Sequence, residues 1–156
     1  MRKIVNILKE ENMKLSDEIK NKIIEEYSQW TETQYAGKTL EERQKLGAFF
    51  TPPELTIQMI EKYDNLDGNI LDPAAGAAGL LVACIIAGAS PDQIYANEID
   101  KDILNKCKER LNAYCKNNGL PLIPDWHFNN YDATKPEAYE FSEKKKSMPR
   151  FGRVRI

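Results

Sequence analysis

The stretch that most limits how this chain can fold runs from Asn69 to Leu81, Asn-Ile-Leu-Asp-Pro-Ala-Ala-Gly-Ala-Ala-Gly-Leu-Leu. A short apolar run, Ile70-Leu71, enters Asp72-Pro73, and only small residues follow from Ala74 to Gly79 before the apolar stretch Leu80 to Ala87. That order reads as strand, tight turn and helix. Small residues at such a turn let a ligand approach the backbone, and a helix N-terminus offers unpaired N–H groups to it. Gly76 and Gly79 alone are equally compatible with an ordinary tight turn.

The pattern then repeats in alternation. Gly88 and Ser90-Pro91 end the first helix, and Ile94-Tyr95-Ala96 reads as a second strand. Asp100 is placed to cap a helix over Lys101 to Cys115, stopped by Gly119, and Trp126 to Asn129 reads as a third strand. Strand, turn, helix, strand, helix, strand predicts a parallel α/β unit with right-handed crossovers and strand order three, two, one. The expected architecture is Rossmann-like, truncated and three-layered.

Upstream the period is helical. Leu15, Ile19, Ile23 and Tyr27 recur every four residues, with Ser16 as N-cap, and residues 31–38 read as the connector to the next helix. Thr39 and Glu42 have capping-box spacing. Thr51-Pro52-Pro53-Glu54 predicts a third start, with Thr51 capping a helix that ends near Tyr63. The division expected is a helical cap (1–46), an α/β body (47–135) and a basic tail (136–156).

Composition narrows the class. Of 156 residues, 42% are hydrophobic and 29% charged, which fits a globular domain and excludes collagen-like or disordered chains. Residues 4–8 are too short and polar for a signal peptide or membrane span. Cys84, Cys107 and Cys115 cannot all pair and lack metal-ligand spacing, which points to a reducing cytoplasm. With His127 as the only histidine, a His-based zinc site or serine-type triad is not expected.

The chemistry concentrates at the strand ends. Glu98 follows Gly76 by 22 residues at the end of the second strand, where a carboxylate can accept both hydroxyls of a ribose. The helix-start role that often explains such an acid is available to Asp100. A dinucleotide would ask for G-x-G-x-x-G, and only Gly76 and Gly79 are present. Asp72 at the head of the turn repels phosphates but suits the positive charge of S-adenosylmethionine (SAM). SAM is the preferred ligand.

Ala48-Phe49-Phe50-Thr51-Pro52, followed by Asp72-Pro73-Ala74-Ala75-Gly76, resembles the N6-adenine DNA methyltransferases of restriction–modification systems. The likeness is greatest to type I modification subunits and short phage-encoded relatives. It implies a class I SAM-dependent methyltransferase fold. It also implies that Phe49, Phe50 and Thr51 contact the methionine part of the cofactor and that Asp72, Gly76 and Gly79 form its loop. Glu98 would hold the ribose, Ile99 would lie on the adenine ring, and Asp132 would hold the adenine amino group. Asp132 before Ala-Thr is also a common turn residue. Two departures stand out. Ala78 occupies a position where the family has glycine, so a methyl is expected to narrow the cofactor's approach. The Asn/Asp-Pro-Pro-Tyr/Phe tetrad that orients the target amino group and stacks on the flipped base is absent from these 156 residues.

The expected roles are therefore SAM binding with catalysis completed by a second protein chain, or a catalytically silent SAM-binding decoy, with a methyltransferase acting alone third. The competing class is a non-enzymatic interaction protein, a phage-type decoy or inhibitor of a host restriction–modification complex. DNA is an expected partner, and a membrane is not. Trp30, Trp126 and His127 read as packing residues. The last thirteen residues hold six basic side chains and no acid, giving +6 against −8 for the rest. Gly152 to Ile156 alternates with strand period. The first strand would have a bare edge, inviting this segment or a second copy of the chain to cover it. Deleting residues 144–156 is expected to remove hydrogen-exchange protection from the Ile70 and Leu71 amides. Unchanged exchange and oligomeric state would leave the tail free.

Overall fold

The computed structural model describes residues 13–143, so the predicted tail strand lies outside the described residues. Helix α1, Asp17–Tyr35, starts at the expected cap, with Ser16 Oγ accepting from the Ile19 N–H. It runs through the predicted connector. Thr31 and Thr33 donate their hydroxyls back to carbonyls of the preceding turn, so both residues remain helical where loop was expected. Helix α2, Leu40–Gly47, has the full Thr39–Glu42 capping box. Helix α3, Pro53–Ile60, begins one residue later than predicted: Pro52 is the cap residue, and Thr51 makes no capping bond.

Strand β1, Ile70–Asp72, leads through the small-residue turn to helix α4, Gly79–Ile86. Strand β2, Ile94–Asn97, leads to helix α5, Lys101–Asn117, whose first turn is capped by Asp100 Oδ1. Strand β3 is shorter than expected. Trp126 and His127 belong to a 3-10 turn, Asp125–His127, leaving only Phe128–Asn129 in the sheet. His127 is turned out of the strand to reach the Ile94 carbonyl with Nδ1 at 2.8 Å.

The sheet is parallel in the order β1-β2-β3, as the sequence predicts, and β1 is an edge among the described residues. Ile70, Ile94, Ala96 and Phe128 turn one face to a single core that also takes the buried side chains of α1, α3, α4 and α5. The helical cap and the body thus share one core. Leu71 and Tyr95 turn the other way, against Trp126, Tyr139 and Phe141. Among the described residues this departs from the three-layer expectation. Two right-handed crossovers that advance in the same direction put both helices on one face, and a second helical layer needs strands wound back past β1. Residues 136–141, assigned to the tail, belong to the body, since Ala138 and Phe141 are fully buried.

Ala78 is the one described non-glycine residue with positive φ, at +67°. Its methyl is wholly buried in the helical core, so the expected narrowing of a ligand's approach is not what it does. Left-handed backbone costs about 1–2 kcal/mol for an L-residue. A buried methyl returns about 0.8 kcal/mol, and glycine's extra chain entropy would cost about 0.5–1 kcal/mol. The opposing effects nearly cancel. Ala78→Gly is therefore expected to unfold within about 1 kcal/mol of the parent in urea, whereas Ala78→Val, with a branched side chain in the left-handed region, should lose about 3 kcal/mol or more.

Candidate cofactor-binding site

The turn between β1 and α4 sits at the carboxyl end of the sheet, and its backbone is fastened from outside. Ala74 N–H donates to Asp72 Oδ1 at 3.1 Å, Ala75 N–H to the Asn97 carbonyl at 2.9 Å and Gly76 N–H to Glu98 Oε1 at 3.0 Å. Ala77 N–H donates to the Phe49 carbonyl at 3.1 Å, and Ala78 N–H to the Ala75 carbonyl at 2.9 Å. Five consecutive N–H groups of the turn, at 74–78, are thus directed into the protein, and the helix N-terminus itself begins after them at Gly79. The turn is no phosphate cradle.

The glycines have a similar explanation. A Cβ on Gly76, at φ +53°, would stand 2.9 Å from the Phe49 carbonyl, and one on Gly79 would stand 3.4 Å from Thr51. Both glycines admit the 49–51 segment against the turn. Phe49 and Thr51 are therefore brought to the loop. Phe50 is brought there only by its backbone, because its ring is buried in an edge-on contact with Trp30 and beside Tyr35.

Asn97, which the sequence reading passed over, ties the strand ends together. Its Nδ2 donates to the carbonyls of Pro73 and Tyr131 at 2.9 and 2.8 Å, and its Oδ1 accepts from the Tyr131 N–H at 3.0 Å. Asn130 Nδ2 reaches the carbonyls of Glu98 and Ile99. A strand-end asparagine flanked by an acid was the only signal available. The rim so formed carries the acids. Glu98 is 6% exposed, its two oxygens each accepting one backbone N–H, from Gly76 and Asp100. A carboxylate has about four acceptor positions, so each oxygen keeps one. Asp72 is 7% exposed, with Oδ2 unpartnered among the described residues. Burial, reinforced by the nearby Glu98 charge, raises Asp72 to about 6, against the lowering effect of the Ala74 N–H. Neither acid has a basic residue within ion-pair distance among the described residues.

Ile99 projects beside Glu98 with 65% of its surface exposed. Asp132 lies at the end of β3 and is fully exposed, where Oδ1 accepts from Thr134 N–H and Oγ1, and these bonds hold its carboxyl below the usual range. Asp132 closes a turn, as the structural reading of that residue expects, with Oδ2 left over.

A second missed residue is Arg110, 3% exposed on α5. Its Nη1 donates to the Ala77 carbonyl at 3.0 Å, its Nε and Nη2 grip the Glu26 carboxylate, and its guanidinium lies 4.4 Å from the Trp30 ring centre. The groove between α1 and α5, about 440 Å³, is lined by Glu26, Trp30, Arg110 and Tyr114 and by neither rim acid.

The family model for N-6 DNA methylase matches residues 33–118, more than half of the chain. The chain belongs to the N-6 DNA methylase family. No curated protein and no solved structure matches it. The matched span of this N-6 DNA methylase domain holds the 49–51 segment, the loop, Glu98, Ile99 and Arg110. Asp132, Glu26 and Trp30 fall outside it.

The raised Asp72 fixes a pH dependence. A carboxyl whose folded pKa lies above its unfolded value contributes stability that is complete below about 3.8 and is lost as pH rises through about 6. Asp72→Asn removes that charge. It is expected to be more stable than the parent at pH 7 by about 1–3 kcal/mol and to lose the parent's decline in stability between pH 4 and 6. Denaturant titrations of both proteins across that range check it, and equal pH profiles would show that Asp72 ionises freely.

Proposed function

We propose that this N-6 DNA methylase domain binds SAM at the rim of its sheet, in a Rossmann-like methyltransferase arrangement. The observation that carries the reading is the pair of buried carboxylates, Asp72 and Glu98, with no cation to balance them among the described residues. A ligand bearing positive charge and vicinal hydroxyls fits that donor set, and a phosphate does not, because the loop N–H groups are taken. Asp72 Oδ2 would face the positive charge and Glu98 would take the ribose hydroxyls through its remaining lone pairs. Ile99 would cover one face of the adenine, and Asp132 Oδ2 would reach its amino group. Phe49 and Thr51 would border the methionine part, and Gly76 and Gly79 would keep the loop closed upon them. When bound, SAM supplies a methyl group activated by its sulfonium. Orienting an adenine amino group toward that methyl needs a tetrad these residues lack, so the proposal assigns that step to a second chain, with DNA as its substrate.

A second reading is a non-enzymatic, phage-type decoy or inhibitor that occupies a restriction–modification complex. Calorimetric titration separates the two. SAM binding is expected near micromolar strength, about −8 kcal/mol, and no heat or thermal shift at millimolar SAM would leave the interaction reading. Glu98→Gln keeps one oxygen for the Gly76 N–H, so it separates ribose recognition from loop closure better than truncation to alanine. Charge-assisted hydrogen bonds contribute about 1.5–3 kcal/mol each, so this variant should bind SAM about ten- to several-hundredfold more weakly while staying folded. Unchanged affinity would remove the ribose assignment.

A further inference from the structure

We infer that Arg110 is a positioning residue for the cofactor loop, holding the loop at the Ala77 carbonyl and tying it to helix α1. The inference rests on the SAM-binding reading and reaches residues outside the span that defines the family.

Ala77 is clamped on both of its backbone polar groups by partners far away in sequence. Its N–H is held by the Phe49 carbonyl at 3.1 Å and its carbonyl by Arg110 Nη1 at 3.0 Å. Ala77 is itself fully buried, and its neighbours Gly76 and Ala78 both have positive φ. A loop with left-handed residues on both sides of Ala77 has no helical or sheet ladder to define the two peptide units that meet there. The Phe49 carbonyl holds the unit between Gly76 and Ala77, and Arg110, together with the turn bond from the Ala78 N–H to the Ala75 carbonyl, holds the unit between Ala77 and Ala78. If the Ala77 carbonyl swung away, the Ala78 N–H of the same peptide unit would leave the Ala75 carbonyl, and that carbonyl shares its own unit with the Gly76 N–H aimed at Glu98 Oε1, the same carboxylate proposed to take the ribose.

Arg110 can serve this end because every part of its guanidinium is fixed. The Glu26 carboxylate takes Nε and Nη2 as a fork, Trp30 lies under the plane, and Nη1 is the donor left for Ala77. The planar fork sets direction in a way an ammonium cannot. Trp30 in turn meets the Phe50 ring at 4.7 Å, and Phe50 adjoins the residue whose carbonyl holds the Ala77 N–H. The two clamps on Ala77 are therefore themselves joined through α1.

The experiment pairs loop-resolved amide exchange with SAM titration in the full chain, for the parent, Arg110→Lys and Glu26→Gln. Lysine keeps the charge but cannot hold Glu26 and Ala77 O in the same geometry; glutamine keeps the shape of Glu26 while weakening its grip. Both variants are expected to speed exchange at Gly76, Ala77 and Ala78 about tenfold relative to Tyr95 and Ala96 in the central strand, and to weaken SAM about tenfold. A general loss of stability would raise exchange at the loop and the strand together, and that result overturns the inference. So does loosened exchange at the loop with SAM affinity unchanged, or no loosening at all. If the parent binds no SAM, the functional reading falls. Selective loosening then upholds the clamp on the loop by itself, and uniform or absent loosening overturns it.

Discussion

A turn made of alanine and glycine has no side-chain acceptors of its own, yet its backbone N–H groups are buried and must be satisfied. The stretch from Ala74 to Ala78 meets that demand almost wholly by borrowing. Asp72 supplies an acceptor from β1, Asn97 and Glu98 from the end of β2, and Phe49 from the segment before α3. The order of the chain follows from this. The 49–51 segment must cross the turn, so glycine stands at 76 and 79. Asn97 must reach Pro73 and Tyr131 at once, so the three strand ends are level with one another.

The same demand decides what the rim can recognise. A phosphate-binding turn keeps several N–H groups aimed outward, and here they are consumed internally. What remains at the surface is acceptor capacity: one oxygen of Asp72, spare lone pairs on Glu98 and an exposed Ile99. Acceptors beside an apolar side chain are the groups that the proposed SAM reading draws on. Holding Asp72 buried without a cation among the described residues costs stability at neutral pH.

Local signals were legible in the sequence, and long-range ones were not. Ser16, the Thr39–Glu42 box and Asp100 act as caps because capping depends on neighbours within four residues. The strand–turn–helix order from Ile70 to Asn117 follows from period and punctuation, and it carries the parallel order of the sheet. The glycines at 76 and 79 were legible as a close approach, but not as the approach of residues 49–51, since nothing in a glycine names what comes near it. Thr51 looked like a cap until the Pro52-Pro53 pair moved the helix start beyond it. Arg110 and Glu26 stand 84 positions apart, and on two amphipathic helices each resembles any solvated charge.

That last pair also separates stability from geometry. Removing Arg110 and Glu26 from water costs several kcal/mol per ion, and an apolar pair of similar volume could stabilise the contact between α1 and α5 as well or better. Lys106 and Gln34 already join the two helices with one polar bond at 2.9 Å, and Ile23 and Leu111 lie in the same core. An apolar pair would leave the Ala77 carbonyl, inside the fold, without its donor. Burial of the ion pair is thus explained by the one group it serves outside itself: a loop carbonyl that no residue of the loop can reach.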